Sequence, residues 1–600
     1  MQNKNKTRSM EVVFLTTNGP FFPGPESPLW DDRGFNRTPE GESPVSQKQH
    51  NNAPRLPMAP FPTWGKKGIA VSDHPAASEA ARDVLREGGN AVDAAVTLSL
   101  TLGVVCPQYT GIGGGGFALV CLPGMERPRL LDFRETAPAG SHPDMFGDDE
   151  LTSIRGGLAP GVPGTVAGMA RLLEEFGTIS WQRALAPGIE LARQGVEVYT
   201  NLRRVVLGRR EHLVDFPEAA RIFLNEDCIT PGRRMRLTDL ADTYERLARL
   251  GPREFYEGET AGRIVESVRE HGGIFQKKDL SDYTVIEREP VSCTYRGREY
   301  FTVGPPSGGG IQVLQMLKMM EPFEIGPEQF LSGDCYHLQA EAMRLSFADR
   351  STWIADPDFF EVPVKAMLDE QRLRDLHAQI TPGKAMELVE TPPLQTEAPR
   401  GVSLPGVGGT AAYATGDSEG GYVVATESVN LWFGSMVIPP GTGILMNNVM
   451  DDFSRKPGTP DAFGLVSSRI NQVEPGKRPA SSSAPTLVME DRRPVAALAS
   501  AGGPRIATSV FQMALNYFDH GLNIRQALDA PRIHHQWLPN ELVVEDGIAL
   551  DTRKRLQDIG HKVVVGPSRS HAAAFVWDQN EKCYFGEGDF RAGGAGAGFH

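Results

Sequence analysis

The stretch GVSLPGVGGTAAYATGD, residues 401–417, decides how this chain is read. A Gly/Pro-rich run, which favours an exposed loop, passes through Gly408-Gly409 straight into an alternating apolar segment that reads as a strand. Thr410 stands at the junction. Were the bond before it to break, its hydroxyl would share a residue with a free α-amine. That amine can take the hydroxyl proton, directly or through one water, and convert a weak nucleophile into an attacking group. Gly409 suits such a bond because a residue without Cβ lets the carbonyl be approached closely and strained.

Outward from this point the chain has few internal boundaries. Its 600 residues, 40% of them apolar, are enough for a large core, and no low-complexity tract or fixed-period repeat divides them beyond the N-terminal stretch. Residues 1–64 carry ten prolines between Pro20 and Pro62 among polar residues, a composition that cannot sustain helix or sheet ladders. They are expected to form a disordered or loosely docked tail, with order beginning near Gly65. Lys plus Arg number 61 against 75 Asp plus Glu, a net charge of −14 and the wrong sign for a surface that tracks phosphate backbones. No apolar run approaches the ~20 residues of a membrane helix. The basic N-terminus lacks a secretory apolar core with a cleavage site, so the expected compartment is the cytoplasm. The six cysteines show no C-x-x-C pair and are expected to be free thiols.

HPAASEAARDVLREGG (74–89) sets Ala80, Ala81, Val84 and Leu85 on one helical stripe that ends at Gly88-Gly89. NAVDAAVTLSLTLGVV (90–105) reads as a buried helix of small residues, and GIGGGG (111–116) leads into the strand candidate FALVCL; RLLDFRE (129–135) offers another. The glycine run follows a helix and precedes a strand, the reverse of a dinucleotide-binding turn, so it is read as close backbone packing. Residues from about 165 to 390 look predominantly helical. After Thr410 strands dominate, in AAYATGD, YVVATES, PTLVME and VAALASA, with a helix near TSVFQMALNYF. An α/β sandwich, with strands between helical layers, follows.

These motifs together resemble the γ-glutamyltranspeptidases of the N-terminal-nucleophile hydrolase superfamily. The resemblance runs from about Gly65 to His600, through EGGNAVDAAV, GIGGGGFALV, LDFRETAP, GVPGTVAGM, ADRSTWIADPDF, NNVMDDFSRKPGTPDAFGL, KRPASSSAPT, SAGGPRI and GEGDFRAGGAGAG. It implies an α+β fold, the four-layer αββα sandwich, and a proenzyme cut between Gly409 and Thr410. The large subunit would span 65–409 behind the tail, and the small one 410–600. It also implies a γ-glutamyl ester on Thr410, formed from glutathione or a related donor and passed to water or to an amino-acid or peptide amine. No metal or organic cofactor is implied, nor a nucleic-acid partner.

The resemblance assigns Arg134 to the substrate α-carboxylate, where a planar guanidinium suits two oxygens, with Ser481 and Ser482 as hydroxyl donors. Asp452, helped by Asn430, would receive the α-ammonium. Gly502 and Gly503 would form the oxyanion hole, and Ser428 would orient the nucleophile where relatives usually have threonine. Three departures stand out. Ala411-Ala412 replaces a hydroxyl residue and a histidine, Val449 replaces a polar residue near the ammonium, and Phe463 takes the place of a lid tyrosine in the loop 454–475. The alternatives are an acylase or small-amide hydrolase of the same superfamily with another acyl group, and an uncut pseudo-enzyme acting as a binding protein. His534-His535 prompts a metal-site reading, but adjacent strand residues face opposite ways and no H-x-x-x-H partner appears.

Overall fold

In the computed structural model, residues 61–387, 408–567 and 569–600 are described. The Thr410 segment forms the strand Gly408–Asp417, which turns through residues 418–421 into the strand Tyr422–Leu431. This hairpin lies at the centre of a seven-stranded sheet, flanked by Gly68–Ser72 on one side and Gly115–Cys121 on the other. A second seven-stranded sheet has His571–Asp578, Arg493–Ala501 and Thr486–Glu490 in its middle. All neighbouring strands in both sheets run antiparallel.

Period-two alternation divides the hairpin between two cores. Ala411 and Tyr413 pack under the helices Pro75–Arg86 and Ala91–Val105, whereas Ala412 and Ala414 pack against Ala497, Ala499 and Phe575 of the opposite sheet. The helices Gly309–Met320, Gly333–Trp353 and Arg505–Ala514 cover the outer face of that second sheet. The order of layers is therefore α, β, β, α, the expected sandwich.

Local signals explain the scaffold around the hairpin. Asn90 caps the helix Ala91–Val105 through bonds to Val92 N (2.9 Å) and Asp93 N (3.0 Å), while Asp93 bonds back to Asn90 N at 2.8 Å. Every residue of that helix is buried, as its small-residue composition suggested. In the glycine run, a Cβ on Gly114 would lie 2.3 Å from Ser428 O, so its absence lets this segment sit against the strand that carries Ser428.

One expectation needs correction. The tail boundary falls earlier than Gly65, because Thr63–Gly65 pairs with Tyr584–Gly586 as an edge strand; residues 1–60 lie outside the described part. The middle segment is predominantly helical, as its amphipathic runs implied, but not exclusively so. It contributes the strands Ile286–Arg288, Val291–Tyr295 and Arg298–Thr302, which lie at one end of each sheet. As a result, residues before and after Thr410 share both sheets, and a cut at 409/410 leaves interleaved strands.

Candidate active site

The hairpin is irregular at Thr410. Gly409 lies opposite Asn430 and Thr410 opposite Ser428, so Val429 is an extra residue in the ladder. The backbone groups of Val429 bond elsewhere, N to Tyr109 O at 3.3 Å and O to Asn448 N at 3.1 Å. This bulge brings two hydroxyls together. Thr410 Oγ1 and Ser428 Oγ are 2.9 Å apart, and Ser428 Oγ donates to Gly409 O at 2.8 Å. Asn430 N donates to the same Ser428 oxygen at 2.8 Å. With the Ser428 proton given to Gly409 O, Ser428 can only accept from Thr410. The Thr410 proton is thus directed away from the carbonyl that its oxygen would attack.

Gly502 and Gly503 follow the strand Arg493–Ala501 and adopt φ of 124° and 59°. Both need glycine: a Cβ on Gly502 would meet Arg569 O at 2.4 Å, and one on Gly503 would meet the Phe463 ring at 2.6 Å. Gly408 lies close enough to this turn that its Cβ would fall 2.9 Å from Gly502 Cα and 3.1 Å from Gly503 N. In the uncut chain, Gly408 therefore lies against the two glycines.

A cleft with about 370 Å³ of free space opens beside Thr410. Its wall brings together Arg134, Thr410, Ser428, Asn430, Asp452, Ser481, Ser482 and Gly503 from the sequence-predicted set. Arg134 follows the strand Arg129–Phe133 and is buried. Its guanidinium donates to Asp452, to Glu135 Oε2 (3.3 Å), and at 3.4 Å to the carbonyls of Pro479 and Ala480. Burial raises Asp452 to about 6 and Glu135 to about 7, against the pull of the neighbouring Arg134 cation. Ser481 is fixed from both sides, its N on Pro306 O at 3.0 Å and its Oγ accepting from Ser483 N at 3.1 Å.

The departures resolve into different situations. Val449 is fully buried and lies outside the cleft wall, whereas Phe463 lines it. Around Ala412 the structure supplies polar groups from elsewhere. Asp73 Oδ2 accepts from Ala412 N at 3.0 Å, and Asp73 Oδ1 meets His571 Nδ1 at 2.8 Å. His571 in turn pairs with Ala501, the residue before Gly502, so this buried contact ties the Thr410 strand to the Gly502–Gly503 turn. Sequence reasoning missed Asp73, His571 and Arg350, the last a further lining residue of the cleft. Asp73 directly precedes the helix reading that began at His74, and Arg350 lies inside the quoted ADRSTWIADPDF.

His534 and His535 are separately engaged. His534 bridges Thr508 Oγ1 and Gln536 Oε1, both at 3.0 Å, while His535 Nε2 meets Asn540 Oδ1 at 3.2 Å. A buried trio elsewhere, His337, Glu341 and His561, has ligand-type atoms within 4.8 Å of one another. Arg344 lies 3.3 Å from Glu341 Oε1 and already supplies a cation there. No disulfide links the described cysteines, and no described helix is long and apolar enough to cross a membrane.

An αββα sandwich with a hydroxyl residue at a bulged central strand, facing a glycine turn across a cleft, defines an N-terminal-nucleophile hydrolase. Comparison with known proteins narrows this class. The family model described as Gamma-glutamyltranspeptidase matches residues 77–599, and the chain belongs to that family. It is 39% identical over 511 residues to the glutathione hydrolase proenzyme of Escherichia coli strain K12, covering 84% of this chain and 87% of that protein. Among solved structures, the cephalosporin acylase from Bacillus halodurans superposes with a TM-score of 0.80 at 26% identity, over 92% of this chain and all of that one. The γ-glutamyltranspeptidase of Helicobacter pylori gives a TM-score of 0.51 at 36% identity, over 52% of this chain and 91% of that one.

Proposed function

We propose that this chain is a proenzyme that cuts itself between Gly409 and Thr410, then hydrolyses or transfers the γ-glutamyl group of glutathione-like amides. One observation carries the reading: Thr410, Ser428 and the Gly409 carbonyl form a continuous hydrogen-bonded line in the uncut chain. Thr410 Oγ1 attacks the Gly409 carbonyl carbon, with Ser428 accepting its proton and donating to the carbonyl oxygen. The C–N bond breaks, the Thr410 nitrogen takes a proton, and water hydrolyses the resulting Gly409–Thr410 ester. Cleavage both frees the amine and releases Gly408 from its place against the Gly502–Gly503 turn.

In the mature site the Thr410 amine takes the hydroxyl proton as Oγ1 attacks a donor carbonyl. The N–H groups of Gly502 and Gly503 receive the negative charge of the tetrahedral intermediate. The amine then passes the proton to the leaving nitrogen, and water or a second amine resolves the ester. Support for an α-amino acid donor comes from the other end of the cleft. Arg134 and Asp452 pair with each other, and a zwitterion offers each the complementary charge.

Denaturing intact-mass analysis of the purified protein tests this reading. Two fragments are expected, the smaller starting at Thr410, with turnover of a γ-glutamyl anilide. A chain that stays whole and inactive overturns it. Cleaved protein that ignores γ-glutamyl donors but turns over other acyl amides favours the acylase reading.

A further inference from the structure

The cleft holds a second arginine whose charge is unanswered. Arg350, on the helix Gly333–Trp353, is 5% exposed and lines the same wall as Arg134, Ser481 and Ser482. Its Nε is enclosed without a partner, and among the described residues its guanidinium makes no side-chain hydrogen bond or ion pair. A buried guanidinium offers five donors and cannot shed its charge, so leaving it without acceptors costs stability that this fold does not offset locally. Burial indeed holds it below the usual arginine range, against the pull of Asp461 and Asp452.

The nearby carboxylates make their hydrogen bonds and ion pairs with other groups. Asp461 accepts from Phe463 N (2.8 Å) and Leu465 N (2.9 Å), which shapes the lid turn. Asp451 accepts from Ser153 Oγ (2.6 Å) and Ala462 N (3.0 Å). Asp452 is taken by Arg134. Arg134 itself already has four acceptors, whereas Arg350 has none among the described residues. Of the two cations facing the cleft, Arg350 is the one free to receive an incoming anion.

We infer that Arg350 is a second carboxylate-recognising residue of this cleft, a specificity determinant that holds the carboxylate of the acyl group jointly with Arg134. The inference rests on the reading of the cleft as an acyl-donor site. It names the donor class by its chemistry: an acyl group bearing a carboxylate at the end remote from the reacting carbonyl, held between two guanidinium groups. A zwitterionic acyl group adds its ammonium at Asp452.

Calorimetric titration of the cleaved enzyme with L-glutamate and with L-isoglutamine, whose α-carboxylate is an amide, tests this without turnover. The wild type is expected to prefer glutamate, and Arg350→Gln to lose roughly 10- to 100-fold in glutamate affinity, the scale of one charged contact. Its affinity for isoglutamine should change less than about threefold on the same reasoning, since the α-carboxylate is absent and the γ-carboxylate that remains lies at the reacting end, toward Thr410. Arg350→Lys, which keeps the charge without the planar fork, should recover part of the preference and carries the comparison if the glutamine variant does not fold. Equal weakening of both ligands would reduce Arg350 to a support of the fold, and unchanged glutamate binding would leave the carboxylate to Arg134 alone; either overturns the inference while the proposed function stands. A wild type that binds neither ligand overturns the proposed function and this inference with it.

Discussion

At the nucleophile end of the cleft, Thr410, Ser428 and Asn430 all come from one hairpin, and a single bulge at Val429 sets their contacts. At the carboxylate end, Arg134, Arg350, Asp452 and Ser481 arrive from four segments spread over more than three hundred residues. The first arrangement is defined by local backbone geometry, which a two-strand ladder can hold to within fractions of an ångström. The second depends on the whole sandwich and is stabilised by buried opposite charges, Arg134 against Asp452 and Glu135. On the proposed reading, the nucleophile is thus held by one local hairpin, and recognition by a part that several segments must assemble.

If that division holds, the most damaging change lies in the hairpin. Thr410→Ala is expected to leave one uncut chain and to lower amide turnover on the order of 10⁶-fold, the scale of removing a nucleophile. Gel mobility and a single-turnover assay read both effects together. Residual γ-glutamyl hydrolysis by the uncut variant would move the chemistry away from the hairpin.

Gly503→Ala should come next. Its φ of 59° and the 2.6 Å approach to Phe463 mean that a methyl group must displace either the turn or the ring. Loss of one oxyanion donor typically lowers kcat by roughly 10²- to 10³-fold. Steady-state kinetics should show the loss in kcat with KM little changed, since the donor acts on charge that appears only in the transition state.

At the carboxylate end the effects should be smaller and should depend on pH. Asp452 lies near 6 in the free enzyme because burial disfavours its charged form more than Arg134 favours it. As pH falls through that value Asp452 gains a proton and can no longer balance a substrate ammonium. The kcat/KM for a γ-glutamyl donor should therefore fall about tenfold per pH unit below about 6, a free-enzyme limb. A glutaryl donor, which has no ammonium, should lack that limb. An identical limb for both donors would assign the titration to another group, with Glu135, near 7, the first candidate.

These two ends also differ in how much of them can be read from residues alone. Thr410 and Gly409 are visible in one string, because Gly-Gly before an alternating run is a local signal. The sandwich follows from strand and helix periods, yet Val291–Tyr295 and Arg298–Thr302 escape because short strands inside amphipathic helical surroundings carry little period of their own. Arg134, Asp452, Ser481 and Ser482 emerge only through the family resemblance, since nothing in their spacing says that they converge. Arg350 is invisible at that level because its distinguishing property is the absence of a partner in three dimensions. Asp73 and His571, 498 positions apart, are likewise joined only by the fold.

Asp73 gives the finest test of whether the nucleophile end is self-contained. Its carboxylate accepts the Ala412 N–H and meets His571, bridging the two sheets next to the oxyanion turn. Asp73→Asn keeps an acceptor for Ala412 N and should alter self-cleavage and kcat by no more than a few-fold. Asp73→Ala leaves that buried N–H without an acceptor, a cost of about 1 to 3 kcal/mol, which should appear as a lowered Tm and a slower cut. If both variants cleave as fast as the wild type, the hairpin places Thr410 unaided. A large loss from the asparagine change alone would mean that the charge of Asp73 also acts at Thr410, and that even the local end of the cleft depends on a contact from the other side of the sandwich.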